Sequence, residues 1–462
     1  MTTLTRRTVL KGAAAGVGMY TLSPMLGKAW GAAGPQAAGR RTLIVLDLGG
    51  GNDGLNMVVP RSGARRAVYE QVRPTIGLAA DSLLPLDRGG QDDGSLGLHP
   101  ALTTLHSLYR ADRVAVVQGV DYPNHNYSHF TSNDIWQAGN PDNIGDSGWL
   151  GRHLDRVGQP LDQIRAVGIG GSLAHALRGD EHSGVQVNSF GSTHFVDGDS
   201  PLARKRHEIY AGFAQHSALD PLRAAYGELC AATVRLDAET MGLVAAQPGG
   251  LANLFLTART LLSADLGVEV VFIQTGGYDT HSGQTTLHQT LLRDLDRALE
   301  AFYFGTIEGV PVGIGGTPGN GLPDPLYVPP TGGTPIGPLD PAIADRTLVM
   351  TFSEFGRRIG ENAGGTDHGA AAPMLLVGPP SAATGVSLVP GLHGDHPDMG
   401  STTLPADNLG MTLDMRSVYQ AVLTKWIDDP TGPRPDEGDP AFRLNGTNLE
   451  ADGSLAGLFA TA

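Results

Sequence analysis

Two apolar strands joined by a long polar loop constrain the fold more than any other stretch of this sequence. Thr347–Phe352 is a short β-branched and apolar run, as expected for a strand covered on both faces. Glu354 follows its end, Asp367 and His368 lie in a glycine-rich loop, and Pro373–Val377 is apolar again. Ligands of open α/β sheets bind beyond the carboxyl ends of strands, so this pattern predicts a site at such an edge.

Three more predicted strands run into the same kind of polar turn. They are Arg41–Leu48, Val114–Val120 and Val268–Thr275. The residues after these strands include Asp53, Ser128, and Asp279 with His281. Helical patterns separate the strands, most clearly Gln284–Phe302, in which leucines recur at helical spacing. The alternation predicts an α/β fold with a largely parallel central sheet, covered by helices on both faces, whose strand ends face one metal site.

The composition limits the classes of partner and of site. The chain has 462 residues, of which 40% are hydrophobic, enough to bury a large core. A net charge of -15 argues against a nucleic-acid partner. Cys230 is the single cysteine, which excludes an intrachain disulfide and a cysteine-based metal site. A metal must then be held by imidazole, carboxylate or hydroxyl groups, which suits zinc, manganese, calcium or magnesium.

The amino-terminal segment, residues 1–33, has the three regions of an export signal in order. Arg6 and Arg7 come first, an apolar run over Gly12–Leu26 follows, and small residues over Ala29–Ala33 offer a cleavage site. The pattern resembles a twin-arginine signal, which predicts export of a folded protein to the periplasm, the cell surface or the medium. The apolar run is too short and too glycine-rich to persist as a transmembrane anchor.

The export prediction has a direct test. Replacing Arg6 and Arg7 by lysine should hold the precursor in the cytoplasm, because the paired arginines carry the signal. Fractionation of cells followed by immunoblotting measures the ratio of precursor to mature protein. Mature protein outside the cytoplasm at the normal rate would show that another signal directs it.

The rest of the chain is expected to form one α/β domain over residues 41–430, with a tail over 431–462. Residues 306–341 are a glycine- and proline-rich insertion that we expect on the surface, and Pro201–Gln247 is expected to be helical. The glycine-rich turn over residues 49–54 also suggests a dinucleotide site. However, its sequence GGGNDG is not G-x-G-x-x-G, and Met57–Pro60 is extended rather than helical, so we reject that interpretation.

Several candidate residues have two interpretations. Ser128 begins a predicted helix, so it is either an N-cap or a nucleophile at the positive end of the helix dipole. Arg357 either clamps an oxyanion or forms a salt bridge to Glu354 or Glu361. The remaining histidines near these turns are assigned to turns or the core: His125, His129, His393 and His396.

Five motifs carry a family resemblance. They are GGGNDGLNMVVP, YSHFTSNDIW, GGYDTHSGQ, SEFGRRIGENAGGTDHG and MTLDMRSVYQAVLTKWI, in that order over about Thr42–Ile427. The sequence resembles the domain of unknown function 1501 family, whose members are mostly exported by the twin-arginine route. That family is related to the alkaline phosphatase and sulfatase superfamily, so the resemblance implies that fold and a site for one or two divalent ions.

The strand-end pattern and the resemblance together give a set of expected ligands. They are Asp53, Asp279, His281, Glu354, Asp367 and His368. Asp47 is the alternative to Asp53, and His288 is the alternative to His281. The resemblance places the nucleophile at Ser128, with Thr131 and Ser132 as alternatives. Phe355 stands where the superfamily has a histidine, so one of two metal positions is incomplete.

Two functions follow as hypotheses. The first is an exported metal-dependent hydrolase of phosphate or sulfate esters, acting on a small-molecule or glycan substrate. The second is a non-catalytic metal- or glycan-binding envelope protein on the same fold, because a fold does not fix a function. A third hypothesis, a cofactor-independent esterase, is disfavoured because none of these serines lies in a G-x-S-x-G sequence.

Overall fold

The structure is a computed structural model that describes most of the chain between residues 40 and 427. The described ranges are 40–142, 144–158, 165–187, 250–263, 267–314, 334–380, 385–399 and 407–427, with short pieces between 443 and 461. The predicted export signal, the predicted helical stretch Pro201–Gln247 with Cys230, the middle of the insertion and most of the tail lie outside them.

A nine-stranded sheet forms the centre of the described fold. Its strands are β1 (Thr42–Leu48), β2 (Val114–Asp121), β3 (Ala166–Ile169), β4 (Val185–Val187), β5 (Val270–Thr275), β6 (Thr347–Phe352), β7 (Ala372–Val377), β8 (Gly391–His393) and β9 (Leu413–Asp414). The spatial order is β8-β2-β7-β6-β1-β5-β3-β4, and β9 continues the edge of β2 beyond β8.

All neighbouring strands of this sheet run parallel except at β7, which is antiparallel to both β6 and β2. The carboxyl ends of β1, β2, β5 and β6 therefore meet at one edge of the sheet. β7 begins at that same edge because its direction is reversed. The predicted α/β fold with a largely parallel sheet is confirmed.

Helices cover both faces of the sheet. They are α1 (Gly54–Met57), α2 (Gly63–Val72), α3 (Thr103–Arg110), α4 (His129–Ala138), α5 (Trp149–Val157), α6 (Gly250–Ser263), α7 (Gln284–Phe304), α8 (Pro341–Ala344) and α9 (Met415–Ala421). In β1, Leu43 and Val45 pack in the core with α4, α5 and α9, whereas Ile44 and Leu46 pack with α3, α6 and α7. This alternation is what a strand buried on both faces requires.

Smaller sheets lie outside the central nine-stranded sheet. A three-stranded sheet contains Val58–Pro60, Leu84–Pro85 and Leu96–Leu98, and strand pairs join Thr306–Ile307 to Val310–Pro311, Gly313–Ile314 to Thr334–Pro335, Val386–Leu388 to Phe459–Thr461, and Arg443–Leu444 to Thr447–Asn448. The turn His175–Leu177 is a 3-10 helix. No helix in the described ranges is long and apolar enough to cross a membrane.

The last predicted helix, Leu413–Ile427, begins later than the sequence indicates. Leu413 and Asp414 pair with the end of β2, and the Asp414 side chain accepts the backbone N–H of Arg416 as an N-cap. α9 then continues from Val422 to Ile427 with π-helical hydrogen bonding. The strand pairing and the cap together prevent the helix from starting at Leu413.

Candidate metal centre

Four side chains from three loops converge at the shared edge of the sheet. Asp279 Oδ1 lies 3.0 Å from His281 Nε2 and 3.1 Å from His368 Nε2, and these two nitrogens are 3.0 Å apart. His129 Nε2 lies 3.5 Å from Asp279 Oδ2. Ligand atoms of His129, Asp279 and His368 all lie within 4.8 Å of one another. We call these four residues the Asp279 cluster.

Each imidazole of the cluster meets an oxygen acceptor on its other nitrogen. His129 Nδ1 lies 2.7 Å from Glu354 Oε1, His281 Nδ1 lies 3.4 Å from Asp367 Oδ1, and His368 Nδ1 lies 2.9 Å from the Tyr127 carbonyl oxygen. A carbonyl or an ionised carboxylate only accepts, so these contacts favour the proton on Nδ1 of each neutral ring. The three Nε2 lone pairs are then left to face Asp279.

This arrangement fits a divalent ion. Nitrogen and oxygen ligands at about 2.0–2.1 Å from a tetrahedral zinc ion lie about 3.3 Å apart. The contacts of the three imidazoles with Asp279, 3.0 to 3.5 Å, lie around that value, and the ligand atoms of His129, Asp279 and His368 lie within 4.8 Å of one another. Oxygen partners on the outer nitrogens of the imidazoles are the usual companions of metal-bound histidine. The side chains of Asp279 and His281 each remain 45% exposed, so the cluster is open to solvent.

Asp279 is ionised over the whole physiological range. Its partial burial disfavours the charge, but the hydrogen bond from the buried Arg357 guanidinium outweighs this and lowers the pKa of Asp279 to about 2. Arg357 Nη2 donates to Asp279 Oδ1 over 2.7 Å. The carboxylate is thus charged and oriented without a metal.

Glu354 lies behind His129 rather than among the convergent atoms. Its buried carboxylate accepts the Gly50 backbone N–H over 2.8 Å and contacts His129 Nδ1. Asp47 lies deeper in the sheet, where burial and the nearby charge of Glu354 raise the pKa of Asp47 to about 8. Asp367 has a place like that of Glu354, beside His281 Nδ1, and accepts from Asn362 Nδ2.

Asp53, an expected ligand, is placed elsewhere. Its fully buried carboxylate pairs with Arg73 Nη1 at 2.6 Å, accepts from Gln284, and caps α1 by accepting the N–H groups of Leu55 and Asn56. Burial raises the pKa of Asp53, but Arg73 and the other partners outweigh it and hold the pKa below its usual value. The Asp53 oxygens are therefore occupied by protein donors. His288, the alternative to His281, is also buried and bonds to Asn52.

Arg357 differs from its expected role as an oxyanion clamp. Its side chain is fully buried, and each of its three nitrogens donates to the protein. Nε binds the Gly51 carbonyl, Nη1 binds the Thr366 carbonyl, and Nη2 binds Asp279 and the carbonyls of Gly50 and Tyr278. The guanidinium has no free face for a substrate, so it positions Asp279 instead.

Ser128 occupies the N-cap position of α4 without capping it. Its side chain accepts no N–H from the helix, and the residue is exposed. It stands between Tyr127, whose carbonyl holds His368, and His129 of the cluster. The N-cap interpretation therefore has no hydrogen bond to support it. Ser132, an alternative nucleophile, is buried against the Tyr122 hydroxyl at 2.8 Å.

His129 is the cluster residue that sequence reasoning assigned to a turn. Its ring is held between Glu354 and Asp279, and the Phe355 ring packs 4.9 Å from it. Phe355 also packs 4.6 Å from His368 and leaves no room for a side chain on Gly51, whose added Cβ would lie 2.2 Å from the Phe355 ring. In the sequence, the feature that could have indicated His129 was its position after β2, in the same turn as Ser128.

No family model matches the chain, and no curated protein matches it. Among solved structures, the lipoteichoic acid synthase LtaP from Listeria monocytogenes is similar at a TM-score of 0.33 and 9% sequence identity, covering 88% of this chain and 76% of that chain. A TM-score of 0.33 assigns no family, so membership of the domain of unknown function 1501 family stays a prediction from the motifs.

The two aspartates should respond differently to amidation. Asp53→Asn leaves the buried Arg73 charge without its counter-ion and should lower the free energy of unfolding by about 3–5 kcal/mol. Asp279→Asn should cost less in metal-free protein, because solvent reaches the half-exposed Asp279 site and the buried Arg357 guanidinium keeps its four backbone carbonyl acceptors. Urea unfolding of metal-free protein, followed by circular dichroism, measures both. Equal losses would contradict the separation of Asp53 from the cluster.

Proposed function

We propose that the protein is an exported metal-dependent hydrolase of phosphate or sulfate esters. The observation that carries the proposal is the convergence of three imidazole Nε2 atoms on Asp279, with an oxygen acceptor at each Nδ1. His129, Asp279, His281 and His368 would hold the ion. Glu354, Asp367 and the Tyr127 carbonyl would fix the rings. Asp53, expected as a ligand, has no part in this assignment because Arg73 occupies it.

Three imidazoles and one carboxylate favour zinc or manganese over calcium or magnesium, which prefer sites made only of oxygen ligands. Bound there, the ion would supply Lewis-acid stabilisation of the charge on the ester oxygens. The cluster also keeps its outer side open, since two of its side chains are almost half exposed. That opening offers room for an ester beside the cluster.

Ser128 is our proposed nucleophile. Its hydroxyl is exposed, is not used as a cap, and lies between the residue that holds His368 and the cluster residue His129. Attack by Ser128 Oγ would form a bond to phosphorus or sulfur and break the ester bond, so that the alcohol leaves and the serine proton passes to solvent. Water would then release phosphate or sulfate and restore the serine.

A non-catalytic metal-binding function is the second candidate, and one observation favours it. If His281 joins His129, Asp279 and His368 on the ion, four protein donors fill a tetrahedral zinc site, whereas catalytic zinc sites keep a position for water or substrate. An ion that accepts more than four ligands would retain such a position. Turnover by metal-loaded protein therefore separates the two candidates.

The cluster assignment is tested by the metal content of single variants. His129→Ala and His368→Ala should each reduce bound zinc or manganese well below one ion per chain, because each removes an Nε2 that faces Asp279. His125→Ala is the matched control, since His125 lies in the same turn but pairs with Asp121. Elemental analysis of purified protein measures the stoichiometry. Loss of metal from the His125 variant alone would contradict the assignment.

The nucleophile is tested with aryl phosphate and aryl sulfate esters. Ser128→Ala should lower kcat by orders of magnitude while metal content and melting temperature stay unchanged, because the exposed hydroxyl makes no structural hydrogen bond within α4. Thr131→Ala is the control and should keep its activity. If the Ser128 variant retains most of the rate, the nucleophile is Thr131 or water instead of Ser128. Absence of turnover by metal-loaded wild type would favour the binding function.

A further inference from the structure

The three imidazoles of the cluster are not held equally by their outer partners. His129 Nδ1 lies 2.7 Å from the buried carboxylate of Glu354, and His368 Nδ1 lies 2.9 Å from a backbone carbonyl oxygen. His281 Nδ1 lies 3.4 Å from Asp367, whose carboxylate is half-exposed. A long contact to a solvated carboxylate restrains a ring less than a short contact to a buried group. His281 is therefore the imidazole with the weakest outer support.

Packing separates His281 from the other two rings in the same way. The Phe355 ring centroid lies 4.9 Å from that of His129 and 4.6 Å from that of His368. The described residues give the His281 ring one ring contact, with His368 at 4.8 Å. The His281 side chain is 45% exposed, against 34% for His129 and 22% for His368. A turn of the His281 ring into solvent would disturb no part of the core.

The backbone of His281 is fixed, so this freedom belongs to its side chain. The Thr366 N–H donates to the Thr280 carbonyl oxygen, directly before His281. Gly365 packs so closely that a Cβ added to it would lie 2.3 Å from the carbonyl carbon of His281. Exposed side chains change rotamer within picoseconds to nanoseconds, which is fast compared with any loop movement.

His281 also stands where a substrate would need to bind. One set of ligand atoms within 4.8 Å of one another belongs to His129, Asp279 and His368. His129 Nε2 faces Asp279 Oδ2, whereas His281 Nε2 adds a fourth ligand atom on the side of Asp279 Oδ1, 3.0 Å away. Two imidazoles and one carboxylate are a ligand count of catalytic zinc sites, which leave the fourth position to water or substrate. His281 fills that fourth position.

We propose that His281 is the exchangeable ligand of the site. It would hold the fourth position in the resting protein and leave it to an oxygen of the phosphate or sulfate ester. The inference rests on the proposed function, and it explains how four protein donors leave room for a substrate. The bond from His281 Nε2 to the ion breaks as the bond from the ester oxygen forms, and no proton or electron has to move.

NMR of protein loaded with cadmium-113 tests the exchange without requiring turnover. With nitrogen-15 histidine, each imidazole bound to cadmium shows one scalar coupling, so the spectrum counts the bound rings. Three couplings are expected in the resting protein and two after addition of inorganic phosphate or sulfate. His281→Ala should show two couplings in both conditions, which identifies the coupling that the anion removes.

The affinity for inorganic phosphate gives a second readout. His281→Ala should keep about one cadmium ion per chain and bind phosphate severalfold more tightly than wild type, because no protein ligand has to be displaced. Isothermal titration of cadmium-loaded protein measures this affinity. His129→Ala is the matched variant, since it removes an imidazole that Glu354 and Phe355 restrain, and it should lose bound cadmium instead.

The outcomes separate the inference from the function on which it rests. Three couplings that persist with phosphate bound, fewer than three in the resting protein, or loss of the His129 or His368 coupling overturn the exchange and leave the hydrolase proposal standing. Weaker phosphate binding by His281→Ala also overturns it. If neither phosphate nor sulfate binds to cadmium-loaded wild type, the hydrolase proposal fails and the inference with it.

Discussion

The Arg357 guanidinium is the contact on which the geometry of the cluster depends. It joins the turn after β1 through Gly50 and Gly51, the loop after β5 through Tyr278 and Asp279, and the loop before β7 through Thr366. These loops come from distant parts of the sequence. Single backbone hydrogen bonds also join them, from Tyr278 N–H to the Gly49 carbonyl and from Thr366 N–H to the Thr280 carbonyl. A buried cation that binds four carbonyl oxygens and one carboxylate fixes their relative positions, since an unpaired guanidinium would be costly there.

A second buried cation, Arg73, stabilises the loop between β6 and β7. Arg73 binds Asp53 together with the carbonyl oxygens of Arg358 and Ile359. Gln284, at the start of α7, links Asp53 to the Thr366 hydroxyl. The two arginines thus clamp opposite sides of the loop that carries His368. Charged residues that the sequence assigned to the site hold irregular backbone in place instead.

The sequence predicted the sheet and three residues of the cluster. Buried parallel strands produce uninterrupted apolar runs, and the glycine turns after them show where Asp279, His281 and His368 must lie. His129 and His125 look alike in the sequence because both follow β2, and only the three-dimensional turn directs one to Glu354 and the other to Asp121. The partners of Asp53 and Arg357 could not be predicted either. Residues that are far apart in the sequence and pair only on folding leave no local pattern.

The reversed direction of β7 affects the order in which the cluster can assemble. β6 and β7 form an antiparallel pair, and the loop between them brings Arg357 opposite His368 in a local bridge. Such short-range contacts close early, whereas His129 and Asp279 arrive only when β2 and β5 have joined the sheet. The complete cluster exists only in the finished fold. A chain exported in the folded state, as we propose, would therefore carry the assembled cluster out of the compartment where it is synthesised.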